Sequence, residues 1–167
     1  GIVAEHHREI EVVRSDAAHA PEHSIEVHLP FLQVVLGSFS LVPLVVGDAA
    51  PQAVAQILER LWGGPETRIV ISSDLSHHLP YARAAGLDRS TVERILNLDA
   101  GLSPHGACGS AAINGALRAA RVHGLAPRLL DLRNSGDTAG DRNRVVGYAS
   151  FAFVEPQSNA DHGGERR

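Results

Sequence analysis

Short apolar runs alternate with amphipathic stretches along this chain, and that alternation constrains its fold more than any other feature. Residues 41–46 are Leu, Val, Pro, Leu, Val and Val, and residues 69–72 are Ile, Val, Ile and Ser. Runs this short and this rich in β-branched residues predict strands buried on both faces. Elsewhere the apolar period lengthens to that of a helix. Pro51 opens one to about Trp62, with Val54, Ile57, Leu58 and Leu61 inward and Gly63-Gly64 ending it. Residues 24–36 predict another, striped by Ile25, Leu29, Leu32, Val35 and Leu36, in which Pro30 imposes a kink or a late start. Asp88 or Ser90 is expected to cap a helix carrying Val92, Ile95 and Leu96. A small-residue helix is expected from about Gly109 to His123, stopped by Gly124. Residues 10–13, 129–132 and 145–153 complete the strands, the last two joined by a polar loop over 134–144.

Strands alternating with helices predict the α/β class: three layers, α/β/α, around a mostly parallel or mixed sheet. At 167 residues the chain suits one domain, over residues 1–154, followed by a disordered polar tail over 155–167. Fifteen basic against nineteen acidic residues give a net charge of −4, which offers no attraction to nucleic acid or to an anionic membrane. No apolar run approaches the roughly 20 residues of a membrane-spanning helix. The single cysteine cannot form an internal disulfide, so the cytoplasm is the expected location. All basic residues are Arg, as codon bias in a G+C-rich genome produces, and there is no Met. A chain opening on Gly1 is therefore expected to be processed or part of something longer.

Ligands in α/β proteins gather where strands end, which directs attention to four clusters. The first, Glu22-His23-Ser24-Ile25-Glu26-Val27-His28, stands at a helix entry, where Glu22 and His23 could cap the helix or reach into a cleft. The second, Ser72-Ser73-Asp74-Leu75-Ser76-His77-His78, follows an apolar run. Its carboxylate and imidazoles could hold a metal, or act as an acid/base pair with Asp74 orienting His77, or simply cap and brace a loop. No G-x-S-x-G elbow accompanies them, which argues against a serine hydrolase. The third is Cys108 before Gly109, where a helix N-terminus favours the thiolate form that ligates metals, although a lone cysteine also serves as a small apolar filler. The fourth, Asn134-Ser135-Gly136-Asp137-Thr138, could present N–H groups to an anion or merely turn the chain. Neither a P-loop nor a G-x-G-x-x-G motif occurs, so nucleotide binding has no support.

In order along the chain, these clusters resemble the MEMO family, whose bacterial and archaeal members are called AmmeMemoRadiSam system protein B. The resemblance is carried by residues 22–32, by Pro43-Leu44-Val45-Val46-Gly47, by Ser72-Ser73-Asp74-Leu75-Ser76-His77, by Ala107-Cys108-Gly109, by Asn134-Ser135-Gly136-Asp137 and by Val145-Val146-Gly147-Tyr148-Ala149. It implies a fold like that of the class III extradiol dioxygenases and a pocket for one metal ion, iron or copper. The family's ligands are two histidines and the cysteine of the Cys-Gly motif, which maps to Cys108. The two histidine segments are not found in this sequence, so the resemblance implies the C-terminal portion of such a domain. An exposed sheet edge or face would then be expected, with the missing N-terminal segment or a second copy as its partner. His23, Asp74 and His77 match other polar positions of the pocket, and His77 is the expected acid/base group. The resulting expectation is a redox or dioxygenase-related metalloprotein. The alternative is a non-enzymatic module that binds a peptide or buffers metal, and the ligand could be a peptide or a small aromatic molecule.

Overall fold

Five helices and three strands make up residues 12–138 and 140–156, the part of the chain described by a computed structural model. In chain order these are α1 (Asp16–His19), α2 (Leu29–Leu36), α3 (Pro51–Leu61), β1 (His77–Leu79), α4 (Tyr81–Leu96), α5 (Ser110–Val122), β2 (Ala126–Asn134) and β3 (Val145–Val154), with a 3-10 turn at Ser135–Asp137. The class is mixed α/β, as expected. The sheet differs from expectation: its order is β1-β3-β2 and both pairings are antiparallel. The two runs predicted as buried strands, 41–46 and 69–72, belong to no strand among the described residues, and Leu41, Val42, Leu44, Val45, Ile69 and Val70 are exposed. Apolar pattern favours a strand, but only a ladder to a neighbour makes one. The pairing that dominates is local, between β2 and β3, which a short connection brings together. Of the predicted strand at 10–13, residues 10 and 11 lie outside the described residues and Val12 and Val13 carry no strand. The expected tail lies outside them from residue 157.

Helix boundaries follow the punctuation closely. Proline opens α3 at its first position, and Gly124, at φ +64°, ends the turn after α5. Pro30 produces the late start rather than the kink, since α2 begins at Leu29 with the proline in its first turn, where no N–H is required. The start of α4 was expected near Asp88 and lies at Tyr81. Pro80 precedes it in extended backbone, and the Tyr81 N–H donates to the Arg142 carbonyl at 2.9 Å, so the helix needs no side-chain cap. Asp88 is instead a buried mid-helix carboxylate.

The core lies in the second half of the chain. Leu75, Val92 and Ala107 pack with Leu132, Ala149 and Phe151, while Ile95, Leu102 and Leu117 pack with Phe151 and Phe153. Strand periodicity explains β3: Gly147, Ala149, Phe151 and Phe153 turn to the helices, leaving Val146 and Tyr148 on the opposite face. Helix α3 packs on α5 through Val54, Leu58 and Ala119, and Gly115 permits the approach because a Cβ there would overlap Val54. Trp62 stacks on the His123 ring, 3.8 Å between centroids and 4° from parallel, and His123 Nε2 pairs with Glu59 Oε2 at 2.9 Å. Buried Asn114 on α5 clamps the incoming loop, accepting the Leu102 N–H and donating to the Leu102 carbonyl, both at 2.9 Å.

The β2–β3 connection closes on itself. Asn134 accepts the Gly136 N–H, and Asp137 accepts the Asn134 N–H, each at 2.9 Å. Tyr81 then donates its hydroxyl to Asp137 at 2.6 Å, and the Arg142 guanidinium lies 3.7 Å above the Tyr81 ring. The Tyr81 hydroxyl, and after it the Asn134 N–H, hold the Asp137 carboxyl below its usual range.

Three variants test this packing. A Cβ at Gly147 would overlap the Asp88 carboxylate, so Gly147→Ala should destabilise the fold by about 3 kcal/mol, whereas Ser76→Ala removes a buried hydroxyl with no partner and should be neutral or mildly stabilising. Urea unfolding midpoints check both. Because the Asp137 carboxyl is depressed in the folded state, its contribution is complete above the unfolded value near 3.8 and disappears as pH falls through the folded value. Asp137→Asn should therefore lower the midpoint at neutral pH and converge with the parent protein in acid.

Candidate metal centre

Residues 72–77 run between an unpaired apolar stretch and β1, and they are fixed from both sides. Toward the sheet, the Leu75 N–H donates to the Gly147 carbonyl and the Gly147 N–H to the Ser76 carbonyl, both at 2.9 Å. The Ser76 N–H donates to Asp88 Oδ1 at 3.0 Å in the buried interior. Toward α5, the Gly109 N–H donates to Ser73 Oγ at 2.9 Å, and the Cys108 N–H to the Asp74 carbonyl at 3.3 Å. Gly109 is required at this seam, since a Cβ there would come within 2.8 Å of the Ser73 Cβ and 3.1 Å of the Ser72 carbonyl. Two loops distant in sequence are thus laced together by one backbone–backbone bond and one bond from backbone to side chain.

The lacing assembles three donor groups. His77 Nε2 lies 3.3 Å from Asp74 Oδ2, and donor atoms of Asp74, His77 and Cys108 all lie within 4.8 Å of one another. Cys108 Sγ is 3.7 Å from Ser73 Oγ and 3.8 Å from the Asp74 carbonyl oxygen. Asp74 and His77 are half-buried and Cys108 is exposed, so the group faces an accessible surface. Ligands held at about 2.0–2.3 Å from one tetrahedral ion stand within roughly 4 Å of one another, so small side-chain rotations suffice to close this set. A carboxylate, an imidazole and a thiolate suit a borderline transition metal rather than calcium or magnesium.

Of the predicted site residues, Asp74, His77 and Cys108 come together. His23 is exposed and outside this group; its N–H and that of Ser24 both donate to Glu22 Oε1 at 2.9 Å. The Ser24 and His23 N–H groups are the largest influences holding the Glu22 carboxyl below its usual range. The link from this segment to the site is made by His28, whose Nε2 lies 3.0 Å from Ser72 Oγ while that hydroxyl donates to the Ser24 carbonyl at 3.0 Å. The fourth cluster, residues 134–138, spends its polar groups on its own turn and on Tyr81.

Sequence reasoning did not single out Ser73, His28 or Tyr148. Burial, and after it the charge of Asp74, raises the Tyr148 phenol above its usual range. The available signal was the alternation of β3, which puts Tyr148 on the face away from Gly147 and Ala149. Ser73 and His28 carried no comparable signal, because their partners are 36 and 44 residues away.

Comparison with known proteins gives a consistent result. A family model described as Memo-like protein matches residues 2–152. A MEMO1 family protein of Sulfolobus acidocaldarius is 35% identical, the match covering 83% of this chain and 53% of that relative. One from Ignicoccus hospitalis is 36% identical over 87% of this chain and 56% of its own length. Another from Methanopyrus kandleri is 37% identical over 81% of this chain and 53% of its own length. The chain therefore spans little more than half the length of the curated relatives it matches.

Proposed function

This chain belongs to the Memo-like protein family, and we propose that it binds a single transition-metal ion through Asp74, His77 and Cys108. The observation that carries the reading is the convergence of those three donors, from two loops that the backbone bonds hold in fixed relation. Cys108 is the proposed anchor. Its thiolate is a soft ligand, and this favours iron or copper over harder ions. A bound ion of either kind would supply redox or Lewis-acid chemistry.

Around that ion the chain's own residues take distinct roles. His77 is the proposed acid/base group, exchanging a proton at its ring, with the Asp74 carboxylate 3.3 Å from Nε2 to orient it. The two assignments for His77, ligand and proton carrier, share one ring and need not share one nitrogen. His23 is proposed as a polar contact to the bound molecule, from the segment that His28 and Ser72 fasten beside the site. A dioxygenase-related reaction on a small aromatic substrate, within a three-layer fold, is the enzymatic form of the proposal. A thiol that must stay reduced to bind metal suits the cytoplasm.

The exposure of Cys108 favours a second reading, in which the site buffers metal or binds a peptide segment without catalysis. Oxygen consumption with catechols, measured after loading with iron(II), separates the two: uptake above that of the free ion supports the enzyme, and none supports the module.

Titration with cobalt(II) tests the site itself. The parent chain should develop a thiolate-to-cobalt charge-transfer band at one equivalent, and Cys108→Ser should lose the band with little change in circular dichroism. Asp74→Asn and His77→Gln should each weaken binding by about tenfold or more. Equal cobalt binding by the parent and Cys108→Ser would remove Cys108 from the site.

A further inference from the structure

Two arginines one turn apart, Arg118 and Arg121, share a face of α5 near its end. Beside them α4 closes on Leu98, in left-handed backbone at φ +53°, and the chain turns away through Asp99, Ala100 and Gly101. A cavity of about 410 Å³ lies there, lined by Asn97, Asp99, Ala100, Gly101, Arg118 and Arg121. Small-molecule sites run to roughly 300–1,000 Å³, but their walls are mostly apolar, whereas this one is polar and suits a polar ligand. The candidate metal centre is at the other end of α5. The eight positions from Ser110 to Arg118 correspond to about 12 Å of helix, so the two sites are separate.

The charges of this cleft do not cancel. Arg94 Nε pairs with Asp99 Oδ2 at 2.7 Å, and the Gly101 N–H donates to Asp99 Oδ1 at 3.1 Å, so the one carboxylate on the wall is already balanced. Arg121 Nη2 donates to the Leu98 carbonyl at 2.7 Å, yet a guanidinium has five N–H donors, and one bond leaves the rest for a ligand. Three guanidiniums against one carboxylate leave two positive charges in excess, in a chain whose net charge is −4. The end of a helix ordinarily opposes an anion through its free carbonyls. Here the Glu93 carbonyl accepts from the Asn97 N–H and side-chain amide, the Arg94 carbonyl from the Asp99 N–H, and the Ile95 carbonyl from the Leu98 N–H. With Leu98 held by Arg121, these closing carbonyls of α4 are engaged.

A phosphate monoester matches that excess. It carries about −1.5 to −2 charges near neutral pH and three acceptor oxygens, and forked guanidinium donors bind it through paired hydrogen bonds. A carboxylate would leave half of the excess unbalanced. Asn97 spends its Nδ2 on the Glu93 carbonyl at 2.8 Å, which leaves its Oδ1 to accept from a hydroxyl group. We propose that this cleft binds a small phosphorylated polyol or sugar, with the phosphate on Arg118 and Arg121 and a hydroxyl on Asn97.

Glycerol 3-phosphate serves as the probe, with inorganic phosphate and glycerol as controls. Each is titrated into the full isotope-labelled chain without added metal, so the outcome does not depend on the proposed metal centre. Glycerol 3-phosphate should shift the amide resonances of residues 97–101 saturably, and glycerol should not. It should bind about threefold or more tightly than inorganic phosphate, the worth of one hydrogen bond. Arg118→Gln, at an exposed position, should weaken its binding by about tenfold with the circular dichroism unchanged. Asn97→Ala should abolish the preference over inorganic phosphate while inorganic phosphate still binds. Absence of a saturable shift at residues 97–101, or undiminished affinity in Arg118→Gln, would overturn the proposal. Equal binding of inorganic phosphate and glycerol 3-phosphate by the parent chain would overturn the assignment to a polyol ligand. Shifts confined to residues 72–77 and 108–109 would place the phosphate at the other end of α5 and overturn it equally.

Discussion

A buried carboxylate governs the geometry of this molecule. Asp88, 2% exposed, sits inside α4 and accepts the Ser76 N–H at 3.0 Å, in space that opens only because residue 147 is glycine. Helix, loop and strand therefore meet at one point. A buried polar group is costly unless hydrogen-bonded, and removing the Ser76 N–H would leave this one unpaired, so the three elements cannot easily separate. The Leu75–Gly147 and Gly147–Ser76 backbone bonds extend the same junction by one residue in each direction. Every donor in the candidate site is placed relative to this junction: Asp74 and His77 lie within two residues of Ser76, and Cys108 is bonded to Asp74 through its N–H.

The chain thus divides into parts with opposite physical characters. From Leu75 onward, apolar residues find one another, and buried polar groups such as Asn114 and Asn134 are hydrogen-bonded. Among the described residues before Ile71, strongly apolar segments face outward, apart from the α3 contact with α5 through Val54 and Leu58. Both parts belong to one family match, over residues 2–152. Residues 41–46 have the composition of a strand, but composition alone cannot close a ladder.

What the sequence revealed, and what it could not, separates along the same physical line. Local signals were reliable: Pro51 and Gly124 marked helix ends, Pro30 marked a late start, and the alternation over 145–153 marked β3. The order of motifs led to the family, and Asp74, His77 and Cys108, named from two of the clusters, lie together as a group that could hold a metal ion. Signals depending on distant partners misled or were silent. Asp88 has the residue type of a helix cap and was expected to be one, but its partner is the N–H of Ser76, twelve residues earlier, which no local pattern announces. A mostly parallel or mixed sheet was expected and the three described strands pair antiparallel, for the same cause, since register and direction belong to pairs of segments. Ser73 and His28 serve the site through contacts 36 and 44 residues long, invisible in a linear reading.

The same division bears on how a site can be exposed and yet ordered. Asp74, His77 and Cys108 present their donor atoms to an accessible surface, where side chains normally sample several rotamers. Their backbones, however, are held by bonds to β3 and by the seam between Ser73 and Gly109, so the remaining freedom is confined to a few side-chain torsions. The 3.3 Å contact between His77 and Asp74 removes part of that freedom, and the approach of Cys108 Sγ to Ser73 Oγ removes more. An ion held by such a group would order three side chains rather than two loops, and ordering side chains alone spares the larger backbone entropy. The buried Asp88 junction has already fixed the backbone. Position is set in the interior, and the donor atoms are left at the surface.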